Sequence, residues 1–221
     1  EPDLYGPFLD QAGTQPVIAC VVLDEGDGPA QFARWAGALR QVATCEPVPV
    51  LVPEGSTLAL PALDGADALL VCGGLTPAYA AALAPVAAGL RAWLTGRPYC
   101  GFSAGSAIAS TRAVVGGWRD GVVPVCPEDS SEDLDQVTVV EGLGLVDLMV
   151  DVHCSQWGTL PRLITALGLG GSGVGIDENT VLRLVDGERS VSGLGAVHHV
   201  VVTDGVAQVR AWRSGSRLPT R

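Results

Sequence analysis

Several classes of protein are excluded by what this sequence lacks. No stretch reaches the roughly 18 consecutive apolar residues that a membrane-spanning helix needs. Only 13 basic residues stand against 24 acidic ones, a net charge of −11, which opposes nonspecific binding to nucleic acid or to an anionic membrane. The first residues also lack the basic start and apolar core of a signal peptide. We therefore expect neither nucleic acid nor a membrane among the partners.

Metal-binding and cofactor-binding patterns are absent as well. None of the six cysteines forms a Cys-x-x-Cys pair, the spacing typical of zinc and redox sites. Several cysteines lie in apolar runs, where a free cysteine behaves as a small buried hydrophobic residue. No nucleotide-binding glycine loop is supported either. We predict no metal, no cofactor and a reducing, cytoplasmic setting, with disulfides as the less favoured alternative.

Apolar runs that alternate with helical patterns predict an α/β fold. The 221 residues, of which 48% are apolar and 17% charged, suffice for one domain with a sizeable core. Helical spacing covers residues 32–43, 77–94 and 161–167, with Pro85 interrupting the second helix. Such alternation indicates a mostly parallel sheet, in which ligands bind at the carboxyl ends of the strands. The strands are predicted at residues 17–23, 47–52, 68–72, 99–102, 137–140, 149–154 and 173–179.

The C-terminal part predicts small antiparallel strands instead. Turn sequences at residues 186–187 and 204–205 separate short apolar runs. Residues 128–135 are predicted to be a solvated acidic loop. The alternative is a flap over the active site or a guard that attracts basic substrates. Residues 213–221 are expected to form a loose tail of a single domain that covers residues 1–221. The predicted C-terminal strands are 181–185, 191–194, 197–202 and 206–212.

Residues 101–105 carry the pattern Gly-x-Ser-x-Gly between a short apolar strand and small residues that can begin a helix. This is the pattern of a nucleophile elbow, which would expose Ser103 on a sharp strand-to-helix turn. The helix that follows directs its free N–H groups at the same point, which suits a developing oxyanion. Because the chain contains 29 glycines, the pattern alone also fits a glycine-rich turn without a catalytic role.

His153 is the histidine that best fits the role of a base for this serine. The other two histidines, His198 and His199, are neighbours in a strand, so their side chains point to opposite faces and structural or surface roles are expected. An activated serine also needs an acid that holds the base. Either Glu178 or Asp177, at the end of a later strand, would be that acid. The alternative is a structural histidine and acids that cap a turn.

Four sequence blocks, in order, resemble the serine peptidases that include cyanophycinase and aspartyl dipeptidase. The first is the pair Gly73-Gly74 after an apolar strand, and the second is the elbow at residues 101–107. Residues 151–163 (Asp-Val-His-Cys-Ser-Gln-Trp-Gly-Thr-Leu-Pro-Arg-Leu) and 175–180 (Gly-Ile-Asp-Glu-Asn-Thr) are the others. A final block at residues 193–197 also fits. The resemblance extends over roughly residues 17–203.

The resemblance implies both a fold and a set of site residues. The fold would be similar to that of the class I glutamine amidotransferases, a three-layer sandwich with a mostly parallel central sheet. The implied Ser-His-Glu triad is Ser103, His153 and Glu178. The implied oxyanion hole consists of the backbone N–H groups of Gly74 and Ala104, in agreement with the general need for the residue after the nucleophile and one further loop.

The substrate pocket that the resemblance implies is altered in this chain. Leu75 stands after the glycine pair where cyanophycinases have Asp, and Val152 stands where the family has Gln. Trp157 occupies the first of three arginine positions, and only Arg162 remains at the third. Because a buried acidic group needs paired arginine donors, selection for an aspartyl group should be weak. These four residues are expected to line a more apolar pocket, with Trp157 as an aromatic wall.

The sequence therefore predicts a peptidase-like or dipeptidase-like serine hydrolase that acts on a small peptide or amide, as a monomer or homodimer. The reaction would pass through an acyl-enzyme on Ser103. Acyl transfer or ester hydrolysis by the same triad remains open. A binding protein that keeps the fold also remains open, because pocket arginines and the first strand of the family are missing. Cys154 is a poor nucleophile candidate, since strand alternation points it away from the side that His153 faces.

Overall fold

Four parallel strands form the sheet that carries the first half of the chain. The computed structural model describes residues 2–218, with side chains from residue 4 onward. The strand order is β2-β1-β3-β4. The two central strands, β1 and β3, are almost completely buried, as their continuous apolar sequences predict. The strands are β1 (Val17–Asp24), β2 (Glu46–Pro53), β3 (Ala68–Val71) and β4 (Tyr99–Gly101).

Helices cover both faces of this sheet. The even-numbered side chains of β1 pack under α1 and α2, and the odd-numbered ones pack under α3, α4 and α5. The predicted interruption at Pro85 is confirmed, because a 3₁₀ turn over Ala84–Val86 separates α3 from α4. The helix α1 was not predicted. These helices are α1 (Pro2–Ala12), α2 (Gly28–Val42), α3 (Thr76–Leu83), α4 (Ala87–Trp93) and α5 (Ala104–Ile108).

Two antiparallel pairs of short strands follow α5. The strand β5 pairs with β8, and β6 pairs with β7. The strand predicted at residues 137–140 is confirmed as β8, displaced by one residue. The strands are β5 (Arg112–Gly116), β6 (Arg119–Asp120), β7 (Val123–Pro124) and β8 (Thr138–Glu141).

A second four-stranded sheet has the order β14-β13-β10-β9. The strand β10 runs parallel to β9 and antiparallel to β13. The short helix α6 (Cys154–Trp157) and the helix α7 (Leu160–Leu167) connect β9 to β10, and α7 packs on both strands. The strands of this sheet are β9 (Met149–Val152), β10 (Gly170–Ile176), β13 (Ala196–Thr203) and β14 (Val206–Arg213). Two further strands, β11 (Thr180–Val185) and β12 (Glu188–Gly193), pair antiparallel in a separate three-stranded sheet.

The predicted loose tail is wrong for part of its length. Residues Arg217–Leu218 form a strand, β15, that pairs with β12, and Leu218 is buried in the core of the C-terminal half. Burial of the apolar side chain of Leu218 and backbone pairing with the edge of β12 explain why this segment is ordered. Residues 219–221 of the predicted tail lie outside the described residues.

The chain thus has a mixed α/β fold with a four-stranded parallel sheet and helices. The strands β4 and β9 belong to different hydrogen-bonded sheets, and α5 packs against β9 between them. The carboxyl ends of β3 and β4 lead into Gly73 and Ser103, whereas β9 and β10 lead into His153 and Glu178. In the described part of the chain, no helix is long and apolar enough to cross a bilayer.

Candidate active site

Ser103 occupies the sharp turn between β4 and α5. Its backbone has φ +48° and ψ −110°, in the positive-φ region of the Ramachandran map where a residue with a side chain is strained. Such strain at a single serine between a strand and a helix is the signature of a nucleophile elbow. The turn directs the hydroxyl outward instead of into the helix cap, since Ser103 makes no side-chain capping bond.

The two glycines of the pattern are required by close backbone approach. A Cβ atom on Gly101 would lie 2.5 Å from the carbonyl carbon and oxygen of Gly105, and one on Gly105 would lie 2.2 Å from the carbonyl oxygen of Val71. The hydroxyls of Tyr99 and Ser106 donate to the carbonyl oxygens of Gly105 and Gly101, each at 2.6 Å. The elbow is therefore held by its packing as well as by its own backbone.

His153 lies within hydrogen-bonding distance of this serine. Its Nε2 atom is 2.8 Å from the Oγ atom of Ser103, although 50 residues separate the two along the chain. The residue follows β9 directly and has a left-handed backbone conformation (φ +54°, ψ +33°) that turns the chain into α6. A histidine with a positive φ at this point supports a constrained, functional position.

Glu178, not Asp177, holds the other side of the imidazole. The Nδ1 atom of His153 lies 3.2 Å from Oε1 of Glu178. The amide of Glu178 donates to the side-chain oxygen of Gln156 in α6, which fixes the loop after β10. Asp177 instead accepts bonds from the amides of Ser155 and Ala196. The choice between the two acids, which the sequence left open, is thus decided by hydrogen bonding.

The other two histidines have no such relay. Both contacts of His198, to Ser155 Oγ at 3.2 Å and to Asp177 Oδ1 at 3.1 Å, use the same atom, Nε2. A relay requires the serine and the acid to bind opposite ring nitrogens, as they do only at His153 among the described histidines. His199 lies on the opposite face of β13, with Nε2 3.0 Å from the hydroxyl of Ser172.

The surroundings of His153 favour the neutral imidazole. Burial lowers the pKa of His153 below its usual value, and the neighbouring Glu178 carboxylate opposes this effect only in part. The indole ring of Trp157 stacks on the imidazole, with ring centroids 4.0 Å apart and planes inclined by 17°. Trp157 was predicted to form an aromatic wall of the substrate pocket. In the structure it lies directly against the base, where it also excludes water from one face of the imidazole.

The glycine pair lies beside the serine, where an oxyanion hole would be needed. A Cβ atom on Gly73 would be 3.2 Å from that of Ser103, so the two loops are in contact. Within residues 2–218, neither the amide of Gly74 nor that of Ala104 donates a hydrogen bond inside the protein. Two free N–H donors, one in the glycine loop and one at the first residue of α5, match the predicted oxyanion hole. Leu75 directly follows Gly74 and is half-buried, just before α3 begins.

Tyr79 supports this loop from beneath, a role that the sequence did not predict. Its side chain is fully buried, and its hydroxyl accepts from the amide of Leu23 (3.0 Å) and donates to the carbonyl oxygen of Gly73 (3.3 Å). A Cβ atom on Gly74 would lie 3.0 Å from the Tyr79 ring. The glycine allows the loop to lie flat on the aromatic ring. The helical spacing of residues 77–94 carries no signal of this bridge.

Two predicted substrate contacts are corrected by their burial. Arg162 is 3% exposed, and its Nε and Nη2 atoms donate to both carboxylate oxygens of Asp151 at 2.9 and 2.7 Å. Its Nη1 atom donates to the carbonyl oxygen of Ser130. Arg162 therefore offers no free fork to an acidic substrate. Val152 faces the core cluster of the C-terminal half rather than a pocket, because its position in β9 alternates away from the site.

The acidic loop is partly buried, contrary to the prediction that it is solvated. Ser130 is 2% exposed, and Glu132 accepts a hydrogen bond from the amide of Thr76 at 2.9 Å, next to the glycine pair. Burial raises the pKa of Glu132 above its ordinary value. The alternative that residues 128–135 cover part of the site agrees better with these contacts. A sequence of like charges gave no signal for this anchoring.

Cys154 has the properties of a packed thiol and not of a nucleophile. It is 2% exposed, and burial raises its pKa to about 12, so the reactive thiolate is scarce at neutral pH. All six cysteines are free thiols in the structure. The disfavoured role of Cys154 as an alternative nucleophile gains no support from this environment.

Comparisons with known proteins leave the geometry as the basis for function. No family model matches the chain, and no curated protein matches it significantly. The arrangement contains a strained serine, a neutral imidazole bonded to it, a carboxylate on the opposite ring nitrogen and two free amides. Together these groups can deprotonate a hydroxyl, stabilise an oxyanion and return the proton to a leaving group.

Proposed function

We propose that the chain is a serine hydrolase that cleaves a peptide or related amide bond through an acyl-enzyme on Ser103. The observation that carries the proposal is the continuous hydrogen-bonded line from Ser103 Oγ through the two nitrogens of His153 to Glu178, with distances of 2.8 and 3.2 Å. Each atom in this line faces the partner that acyl transfer requires.

The proposed reaction has two halves. His153 Nε2 takes the hydroxyl proton of Ser103 as Oγ attacks the substrate carbonyl carbon, and the amides of Gly74 and Ala104 donate to the resulting oxyanion. His153 then gives the proton to the departing amine, and the carbon–nitrogen bond breaks. In the second half, water loses a proton to His153, attacks the ester and releases the acid while Ser103 regains its proton. Glu178 stabilises the imidazolium in both halves.

We also propose a fold family and a cellular compartment for this mixed α/β chain. Helices on both faces of the parallel sheet and the order of the site residues support a sandwich similar to the class I glutamine amidotransferases, and membership among the cyanophycinase-like peptidases. Free thiols in all six cysteines support a reducing, cytoplasmic setting. The proposed family is supported most strongly by the strained elbow and the glycine pair, because they follow the carboxyl ends of two neighbouring strands.

The proposed substrate is a small peptide or amide with an uncharged, apolar group next to the scissile bond. Phe102 and Trp157 are each 39% exposed, and they flank Ser103 and His153. Trp35 extends the aromatic surface, with its ring 4.6 Å from that of Phe102. Arg162 is the only arginine among the predicted substrate-binding residues. Because Asp151 occupies its guanidinium, this arginine is not free to pair with an acidic side chain of a substrate.

A panel of dipeptides and amides with acidic, apolar and basic first residues tests this function. We expect the apolar members to be cleaved fastest and Ser103→Ala to lower the rate by at least about 10³-fold. The matched control is Ser172→Ala, which removes a hydroxyl that bonds only His199 on another face and should leave the rate unchanged. Equal cleavage by wild type and Ser103→Ala would refute the proposal.

Product analysis with an added amine distinguishes hydrolysis from acyl transfer. The acyl-enzyme is common to both reactions, and only the acceptor differs. We expect the free acid as the main product, because nothing among the described contacts forms a site for a second acceptor. A dominant amide product would reassign the chain to acyl transfer, and inactive but folded protein would favour the binding-protein alternative.

A further inference from the structure

A cluster of three side chains that can each bind a metal ion adjoins the Ser103–His153–Glu178 line. The sulfur of Cys154, a carboxylate oxygen of Asp177 and a ring nitrogen of His198 all lie within 4.8 Å of one another. Two of these atoms, Asp177 Oδ1 and His198 Nε2, are 3.1 Å apart. None of the three is used in the proposed reaction.

The three groups form a ligand set suited to a divalent transition metal. Zinc binds cysteine sulfur at about 2.3 Å, histidine nitrogen at about 2.0 Å and carboxylate oxygen at about 2.0 Å, in a tetrahedral arrangement. These bond lengths place neighbouring ligand atoms about 3.3–3.6 Å apart. The cluster therefore needs a contraction of roughly 1 Å at its widest separation. The pairing of a thiol with an imidazole favours zinc over magnesium or calcium, which prefer oxygen ligands alone.

The surrounding backbone leaves room for these side chains. A Cβ atom on Gly175 would lie 2.5 Å from the sulfur of Cys154, and one on Gly195 would lie 2.5 Å from the Cβ atom of Asp177. Both glycines therefore create the space that two of the ligands occupy. Gly175 lies in β10, and Gly195 lies directly before β13. Because β10 pairs with β13, which carries His198, the same two strands also position the third ligand.

One side of the cluster opens to solvent. Ser155 is exposed, and its hydroxyl lies 3.2 Å from Nε2 of His198. This side provides a path for an ion and a position for a water molecule or the serine hydroxyl as fourth ligand. The amides of Ser155 and Ala196 already donate hydrogen bonds that orient the Asp177 carboxylate, and metal-binding carboxylates are commonly oriented by such bonds.

We propose that Cys154, Asp177 and His198 form a binding site for one zinc-like divalent ion. On binding, the Cys154 thiol releases one proton to solvent. The imidazole of His198 binds through Nε2 and carries its proton on Nδ1. The contact between Nε2 and the Asp177 carboxylate is then replaced by two bonds to the metal.

The site is connected to the proposed triad through the chain itself. Cys154 follows His153, and Asp177 precedes Glu178. A contraction of the cluster would therefore shift His153 and Glu178. A displacement of about 1 Å at a reacting group can cost about 10²-fold in rate. Zinc is thus expected to inhibit, slowing phosphonylation of Ser103 by about 10- to 100-fold; this consequence alone depends on the proposed hydrolase function.

Titration of the full chain with Co²⁺ tests the site without any assay of activity. We expect one ion per chain and a thiolate-to-cobalt charge-transfer absorption, both displaced by Zn²⁺. The variants Cys154→Ser and His198→Gln should each lose the absorption or weaken binding by at least about 100-fold. The controls are Cys45→Ser and His199→Gln, which lie outside the cluster and should bind as wild type does.

Each outcome of this experiment supports or overturns the proposal. Circular dichroism confirms that the variants fold, and His198→Gln keeps a donor toward Asp177 if Cys154→Ser is unstable. Absence of cobalt binding, or binding that persists in both ligand variants, overturns the site. Zinc inhibition that survives in Cys154→Ser and His198→Gln would place the ion on His153 instead. Ser103→Ala should still bind metal, so failure of the hydrolase proposal leaves this result intact.

Discussion

At His153, two opposing effects act on one imidazole. Burial of the ring lowers its pKa, whereas the carboxylate of Glu178 raises it, and burial is the larger effect. The side chain of His153 is 14% exposed and that of Glu178 is 41% exposed. The ring is therefore largely desolvated, whereas solvent screens the charge of the carboxylate. The neutral form that accepts a proton is therefore dominant at neutral pH.

The pH profile of serine modification follows from this balance. Activity requires neutral His153, so it should fall as pH decreases through an apparent pKa below the usual value of about 6.5. In Glu178→Gln the carboxylate that raises the pKa is lost, so the midpoint should move further down and the plateau rate should fall roughly 10²-fold. Rates of fluorophosphonate labelling from pH 4.5 to 8 measure both values. A midpoint that rises in Glu178→Gln would contradict the assigned pairing.

Removal of the stacked indole should have the opposite effect on the midpoint. Trp157→Ala exposes one face of the imidazole, which reduces the desolvation that lowers its pKa, so the midpoint should move up toward about 6.5. Trp157→Phe keeps an aromatic face and should remain close to wild type. The same labelling profiles supply the measurement. Identical midpoints in wild type and Trp157→Ala would show that the stacking does not affect the base.

At the scale of elements, the strand β4 and the helix α5 meet so closely that the turn between them admits only glycine on either side of the Phe102–Ala104 segment. The Gly-x-Ser-x-Gly pattern is thus a packing requirement first and a chemical motif second. This explains why the pattern by itself predicts a turn of this shape, whereas the catalytic reading needs His153 and Glu178 as well.

Substitution of these glycines should destabilise the protein. In Gly105→Ala, the new methyl group would meet the carbonyl of Val71 at 2.2 Å, so we expect a loss of about 1–3 kcal/mol in the free energy of unfolding. Gly37→Ala is the matched control, because nothing lies within 4 Å of that position in α2 and alanine should stabilise the helix by about 0.5–1 kcal/mol. Urea unfolding measures both. Equal stability of the two variants would refute the packing argument.

The Asp151–Arg162 pair joins β9, α7 and the acidic loop. Both side chains are almost fully buried, so removing one charge leaves the other unpaired in the interior. Asp151→Asn should cost about 3–5 kcal/mol, and the double variant Asp151→Leu with Arg162→Met should recover much of that loss. The exposed pair Glu188–Arg217 is the control, and Glu188→Gln should change stability by less than about 1 kcal/mol. A double variant as unstable as Asp151→Asn would contradict this account.

Element positions were more predictable from the sequence than side-chain environments. Continuous apolar runs identified β1 and β3, and proline identified the break between α3 and α4. In contrast, α1 was not predicted, although Tyr5, Phe8 and Leu9 recur at helical spacing and pack on the sheet. Pro7 lies inside this helix, where proline is normally unfavourable. Arg162 was expected to bind substrate because the family resemblance shows only that an arginine stands at this position, not which buried carboxylate neutralises it.

At the scale of the whole molecule, the candidate site is assembled from two sheets. The first sheet supplies Ser103 and the glycine pair, and the second supplies His153 and Glu178. Ser103 and His153 were predicted from the residues of the motifs, and Glu178 was singled out only by the resemblance to the peptidase family. Their convergence, and the choice of Glu178 over Asp177, depend on contacts between residues 25 to 50 positions apart, for which a single sequence carries no direct signal.

Intact-mass labelling of wild type and Ser103→Ala with a fluorophosphonate tests the central claim most directly. The reagent bonds to a serine only when a neighbouring base activates it, so it reports the proposed triad without knowledge of the substrate. We predict a single adduct on the wild type, none on Ser103→Ala and a slower reaction in Glu178→Gln. An adduct that persists in Ser103→Ala, or a folded wild type that takes no label, would contradict the central claim.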